Sequence, residues 1–273
     1  MTNPLTRIRS IEDEAAHLSV LLVEGQDDQI IYEYFFDMCY PGWDAHFRID
    51  AVEGKPHVLN GVGYREDWIG LVDRDDWSDE IFAAMLLNKP NLKGLPRYCI
   101  ESYFCDPQEL WRVLPDTLKN RVGNDPTRLS QPILDVLPDW VAHGAMWRVL
   151  RRIDAGNRHP KALDDQPVTD KAKIISLLRA WHTQINPDIV LTKYDEELKL
   201  GSSLPLDEQL HVYIHGKKFF RMVVLQTLDH LFSNPGKSTW LEEFRKWKIQ
   251  PPPDLIPLID EIVQHFLEPP AFS

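Results

Sequence analysis

Residues Ser19 to Val23 form a short β-branched and apolar run closed by Glu24-Gly25, and from Gln26 to Met38 apolar residues recur at Ile30, Ile31, Tyr34, Phe35 and Met38. The first pattern predicts a buried strand and the second an amphipathic helix. The alternation continues with His46–Val52 as a strand, Pro56–Val62 as a short helix and Trp68–Val72 as a second fully apolar strand ending at Asp73. Ile81–Leu87 reads as a helix and Arg97–Ile100 as a fourth strand. Strands apolar on both faces and separated by helices imply a mainly parallel sheet covered by helices, with functional groups gathered at the carboxyl ends of the strands.

Beyond about residue 106 the periodicity becomes helical, in Pro107–Leu114, Pro132–Ile153, Asp170–Ile185, Lys217–Phe232, Thr239–Trp247 and Asp254–Leu267. Turn chemistry separates these segments at Gly123–Pro126, Asn157–Pro167, Gly201–Pro205 and Pro251–Pro253. The expected organisation is therefore an α/β domain over residues 1–120 and a mostly helical domain over 121–273, without internal repeats.

Length and charge narrow the function classes. The 273 residues carry 30 Lys and Arg against 42 Asp and Glu, a formal charge of −12, so no global basic field draws the chain onto nucleic acid or an anionic membrane. Residues 1–120 hold 11 basic and 22 acidic side chains, which puts −11 of the charge in the α/β half. Cys39, Cys99 and Cys105 are odd in number and lack CxxC spacing, which fits a reducing compartment and neither a disulfide framework nor a zinc site. Residues 1–18 contain no apolar core followed by a small-residue cleavage site, and no stretch approaches the roughly 18 apolar residues of a membrane span. Neither secretion nor membrane insertion is expected, and the chain is read as cytoplasmic.

Candidate chemistry lies in three segments that each place carboxylates after an apolar run: Leu22–Asp28, Gly70–Asp76 and Ile100–Pro107. In a parallel sheet such loops lie side by side, so Glu24, Asp73, Asp75 and Glu101 can converge although Glu24 and Asp73 are 49 residues apart. Crowded carboxylates repel unless a cation binds them. Mg²⁺, or Mn²⁺ in its place, suits hard oxygen ligands and bridges carboxylates to substrate phosphate, which points to phosphoryl-transfer chemistry.

Glu24-Gly25 after the first strand and Asp73-Arg74-Asp75 after a later one resemble the TOPRIM domain shared by topoisomerases, bacterial-type primases and the nucleases of the OLD (overcoming lysogenization defect) group. With the Ile100-Glu-Ser-Tyr-Phe104 segment and His215-Gly-Lys-Lys218, the chain is similar to the OLD-like subgroup known as DUF4435, over roughly residues 18–107 and 211–220. The resemblance implies a TOPRIM fold, Rossmann-like with a mainly parallel sheet flanked by helices, and a metal-dependent nuclease acting on DNA or RNA. It gives Glu24 the role of general acid/base or metal ligand and gives Asp73 and Asp75 the metal. Asp28 and Glu101 are the further ligands for a second ion, and Lys217 is the cation that neutralises transition-state charge. It also implies a part in anti-phage defence beside a separately encoded ABC-type ATPase, because no GxxxxGK[ST] segment is present here. A homodimer is compatible with the aromatic-rich helical half.

A non-catalytic TOPRIM-fold protein that regulates a partner ATPase is the alternative. A primase- or topoisomerase-like enzyme needs domains that 273 residues do not supply. Haloacid-dehalogenase-like phosphatases also place Asp-x-Asp after a strand, but with Thr or Val where this chain has Trp77. Arg148, Arg151, Arg152 and Arg158 form the densest basic stretch, readable as phosphate contacts or as a salt-bridged helix face. Trp140, Trp147, Trp181, Trp240 and Trp247 fall at helix-period positions that fit packing.

Overall fold

The computed structural model describes residues 4–15, 17–153, 167–181, 186–232 and 240–267. The chain folds as two compact units: Met1–Pro96 together with Lys237–Ser273, and Arg97–Gly236. The division falls at residues 96 and 97 where the sequence suggested 120, and the C-terminal segment belongs to the first unit.

In the first unit, strands β1 (Ser19–Val23), β2 (Phe47–Ala51), β3 (Ile69–Val72) and β4 (Leu92–Gly94) form one sheet in the order β2-β1-β3-β4. Every pairing is parallel. Helices α1 (Pro4–Ala15), α2 (Gln26–Cys39), α3 (Lys55–Gly61) and α4 (Asp79–Asn88) surround it. The expected α/β architecture with a parallel sheet is thus present. The expected fourth strand at Arg97–Ile100 is not: that segment is bend and turn, and β4 lies a few residues earlier. Leu92-Lys-Gly is too short and too polar to register as an apolar run, yet as an edge strand it needs only one paired side.

β1 is central and its residues Val20 to Val23 are fully buried. Alternation sends Val20 and Leu22 to one face, where they join a core of Ile8, Ile11, Val58, Trp68 and Val72. Ile8, Ile11 and Ala15 give α1 its buried stripe, a helix that the charged residues between them concealed from the sequence reading. α2 packs on β1 and β2. Helices Trp240–Trp247 and Ile256–Leu267 return to this unit. Phe47 and Phe266 stack with ring centroids 4.3 Å apart. The Tyr40 hydroxyl donates to Asp260 at 2.6 Å, and the Tyr34 hydroxyl donates to the Ile249 carbonyl at 3.0 Å.

The described part of the second unit is helical, with α5 (Pro107–Val113), α6 (Asp116–Arg121), α7 (Thr127–Asp135), α8 (Leu137–Ile153), α9 (Lys171–Trp181) and α10 (Pro187–Ser203), then shorter turns to Phe232. α8 and α10 pack against each other. α10 escaped the sequence reading because its buried positions Val190, Tyr194, Glu197 and Gly201 keep helical spacing but are only half apolar. Glu197 is buried against Arg152, and Gly201 lies against the Tyr213 ring, 2.2 Å from where a Cβ would sit. Two π-helical turns, Gln209–Tyr213 and Phe220–Val224, flank the Gly216–Phe219 turn. Trp140 and Trp147 are buried, as packing predicts. Arg148 donates to the Val212 carbonyl at 2.8 Å and lies over the Tyr213 ring, so Arg148 and Arg152 serve contacts inside this unit. Arg158, residues 182–185, most of the break at 157–167 and the Trp240 side chain lie outside the described residues. Among the described residues, no helix is long and apolar enough to cross a membrane.

Candidate active site

The sheet order puts β2 on one side of β1 and β3 on the other, so the chain reverses its direction of travel between β1 and β3. The carboxyl edge at such a switch point is where open α/β sheets bind ligands, because the flanking loops diverge and leave a crevice. Leu22 is level with Gly70 in the β1·β3 register and Val23 with Ala51 in the β1·β2 register. The loops that begin at Glu24, Val52 and Asp73 therefore leave the same edge side by side.

Hydrogen bonds lock the three loops together. The Asp73 amide donates to Glu24 Oε1 at 2.9 Å, and the Gly54 amide donates to the Glu24 carbonyl at 2.7 Å. Lys55, the first residue of α3, reaches across with Nζ 2.6 Å from the Asp73 carbonyl, 2.6 Å from Asp75 Oδ2 and 3.8 Å from Glu24 Oε1. The same ammonium lies 4.3 Å from the centre of the Trp77 ring. Asp28 is buried in the first turn of α2 and its Oδ2 accepts from the Gly25 amide at 2.8 Å, which caps that helix.

Backbone strain concentrates at this edge. Asp75 has φ 52° and Glu53 has φ 62°, both in the left-handed region, and Gly54 follows at φ 118°. A non-glycine residue held there costs on the order of 1 kcal/mol and persists where surrounding contacts fix it. Here the contact is the Lys55 to Asp75 bridge, which joins the two strained loops.

The electrostatics follow from crowding. Burial is the largest cause that pushes the Glu24 carboxyl up to about 7; the Lys55 ammonium opposes it, and the Asp75 and Asp28 carboxylates add to it. Carboxylate oxygens are the donor type that suits a hard divalent cation, but among the described residues only Asp106, Glu109 and His211 bring three ligand-type atoms within 4.8 Å of one another, so Glu24, Asp73 and Asp75 would have to draw together to hold one. A cationic nitrogen already stands among them.

The other two predicted residues belong to the second unit. Glu101 lies in a 3-10 turn, Ile100–Phe104, and not at a strand end as the sequence suggested. It is 2% exposed, with Oε1 3.7 Å from Lys217 Nζ. Gly216, beside Lys217, packs so closely that a Cβ would lie 2.0 Å from Ser102 Oγ and 2.9 Å from Cys99 Sγ. The Cys105 thiol donates to the Glu101 carbonyl at 3.4 Å. The six predicted residues thus fall into two sets: Glu24, Asp28, Asp73 and Asp75 in the first unit, and Glu101 with Lys217 in the second.

Two groups escaped the sequence reading. Lys55 comes from a third segment of the same edge, and its signal was a Gly54-Lys55 pair separated from β2 only by Val52 and Glu53. Asp106, Glu109 and His211 bring ligand-type atoms within 4.8 Å of one another. Their charges are already used: Arg97 donates twice to Glu109, at 2.7 and 3.1 Å, and Asp106 caps α5 by accepting from the Gln108 amide at 2.7 Å.

No protein-family model matches this chain, and no curated protein matches it.

Proposed function

We propose that the first unit is a TOPRIM-type nuclease site that hydrolyses phosphodiester bonds in DNA or RNA with Mg²⁺ or Mn²⁺. One observation supports this reading: the acidic loops that leave the ends of β1 and β3 at the switch point of a parallel sheet are joined by the 2.9 Å bond from the Asp73 amide to the Glu24 carboxylate. Glu24, Asp73 and Asp75 would hold the cation, with Asp28 next to them. The bound ion would supply Lewis-acid polarisation of a phosphoryl oxygen and a more acidic water.

The chain's own residues divide the remaining work. Glu24 would accept a proton from the attacking water, the general-base role that the resemblance gives it. The Asp73 amide orients Glu24, and Asp75, in its left-handed turn, meets Lys55 of the segment after β2 with Oδ2 at 2.6 Å. The resemblance supplies the wider setting: control by a separately encoded ABC-type ATPase, a role in anti-phage defence, ligand status for Glu101 and charge neutralisation by Lys217.

The test is cleavage of DNA and transfer-RNA substrates by purified protein with Mg²⁺ or Mn²⁺, with Glu24→Ala and Asp75→Ala beside the wild type. The expected result is metal-dependent cutting lost in both variants, and lost or reduced in Lys217→Met. Cutting that survives both carboxylate changes would overturn the assignment. A wild type that neither cuts nor binds Mn²⁺ favours the binding protein that regulates an ATPase.

A further inference from the structure

A carboxylate set built for a metal does not by itself require a lysine in its centre, and Lys55 is there. Its side chain is 12% exposed, and its ammonium touches two of the elements that would hold the ion: the Asp73 carbonyl and Asp75 Oδ2, each at 2.6 Å. Glu24 Oε1 lies 3.8 Å away on the third side. Residues around it fix its approach: Glu53 and Gly54 take positive φ just before it, and Pro56 follows it in the first turn of α3. The fourth neighbour is the Trp77 face, at 4.3 Å, a surface on which an ammonium is favoured without any carboxylate.

An ammonium and a divalent cation cannot take the same oxygens, since both need contact with Asp75 and Glu24 and they repel each other. We propose that Lys55 is a displaceable placeholder cation. It holds the β1 and β3 loops together while no metal is bound, competes with the metal for Asp75 and Glu24, and gives up both carboxylates when the metal enters, keeping its contact with the Trp77 face. Lys55 thereby sets the metal concentration at which the site loads. The proposal rests on the metal-dependent reading above and adds the regulation of its loading.

Two measurements on the full chain test it. The first is Mn²⁺ affinity, read from the free-ion electron paramagnetic resonance signal at fixed pH and ionic strength, for wild type, Lys55→Met and Lys55→Arg. Loss of the competing ion pair should tighten Mn²⁺ binding about ten-fold in Lys55→Met, while Lys55→Arg, which keeps the charge, binds no tighter than wild type. In chelator Lys55→Met should melt below wild type, and Mn²⁺ should raise its melting temperature more than it raises that of wild type. The second measurement uses wild type alone and needs no variant to fold: amine labelling read by peptide mass spectrometry, in chelator and in Mn²⁺. Lys55 should be protected in chelator and labelled in Mn²⁺.

Wild type that binds Mn²⁺ without any change in Lys55 labelling would overturn the placeholder role and leave the nuclease reading standing. So would Lys55→Met binding Mn²⁺ no more tightly than wild type. Failure of wild type and Lys55→Met alike to bind Mn²⁺ at millimolar concentration would overturn both.

Discussion

Acid should loosen the second unit through His143. This histidine is 2% exposed on α8, and its Nε2 accepts a hydrogen bond from the Trp147 indole N–H at 2.9 Å. The ring is therefore neutral with its proton on Nδ1, and protonating Nε2 would set two N–H groups against each other. Burial, reinforced by the nearby Lys218 ammonium, pulls the His143 pKa down from 6.5 to about 4. A histidine with a depressed folded pKa binds fewer protons in the native state. Its stabilisation is complete above the unfolded value of 6.5 and is lost as pH falls towards 4. A difference of about 2.5 units at about 1.36 kcal/mol each makes the loss about 3 kcal/mol between pH 7 and pH 4. His215 is likewise pushed down, to about 3, with burial the largest cause and Lys218 and His143 adding to it. His143→Gln keeps an acceptor for Trp147 and removes the titration. Urea unfolding followed by far-ultraviolet circular dichroism at pH 7.5, 5.5 and 4.5 should show the variant losing about 2.5 kcal/mol less than wild type across that range. Parallel pH profiles for the two proteins, or a His143 ring proton that titrates above pH 6 by nuclear magnetic resonance, would refute the reasoning.

Glu24 gives the opposite slope in the first unit. Its carboxyl is raised from 4.5 to about 7, so in chelator wild type should lose about 3 kcal/mol as pH rises from 4.5 through 7; Glu24→Gln should lack that loss, which melting curves at pH 5 and 8 would check. Gly216→Ala should destabilise the second unit by about 2 kcal/mol through overpacking, because its Cβ would collide with Ser102 Oγ. Adding Ser102→Ala should recover part of the melting temperature, and no recovery would show that the collision is not the cause. Asp75→Asn tolerates the left-handed turn and loses the charge, so it should abolish Mn²⁺ binding while changing stability by no more than about 1 kcal/mol. Asp75→Val should also unfold at lower urea, since a β-branched residue resists φ 52°.

Local sequence determined what depends on neighbours along the chain. β1 and β3 are legible because their residues are apolar on both faces, as burial on both sides of a sheet demands, and α2 is legible from its three-to-four spacing. Glu24, Asp73 and Asp75 could be singled out because each follows an apolar run, and a parallel sheet puts such ends on one edge. Only the tertiary structure decided what depends on partners distant in sequence. β4 exists because β3 offers it a paired edge, not because Leu92-Lys-Gly is apolar. α10 is held by Arg152 and Tyr213, which turn a glutamate and a glycine into buried positions. The C-terminal helices complete the first unit through contacts such as Phe47 with Phe266, which no local pattern encodes. Lys55 becomes part of the candidate site only when β2 is aligned beside β1, since its charge gains meaning from Asp73 and Asp75, 18 and 20 residues away. Periodicity reports which face of an element is buried; which charge meets which is fixed by strand order and register, and those arise only when the elements pack.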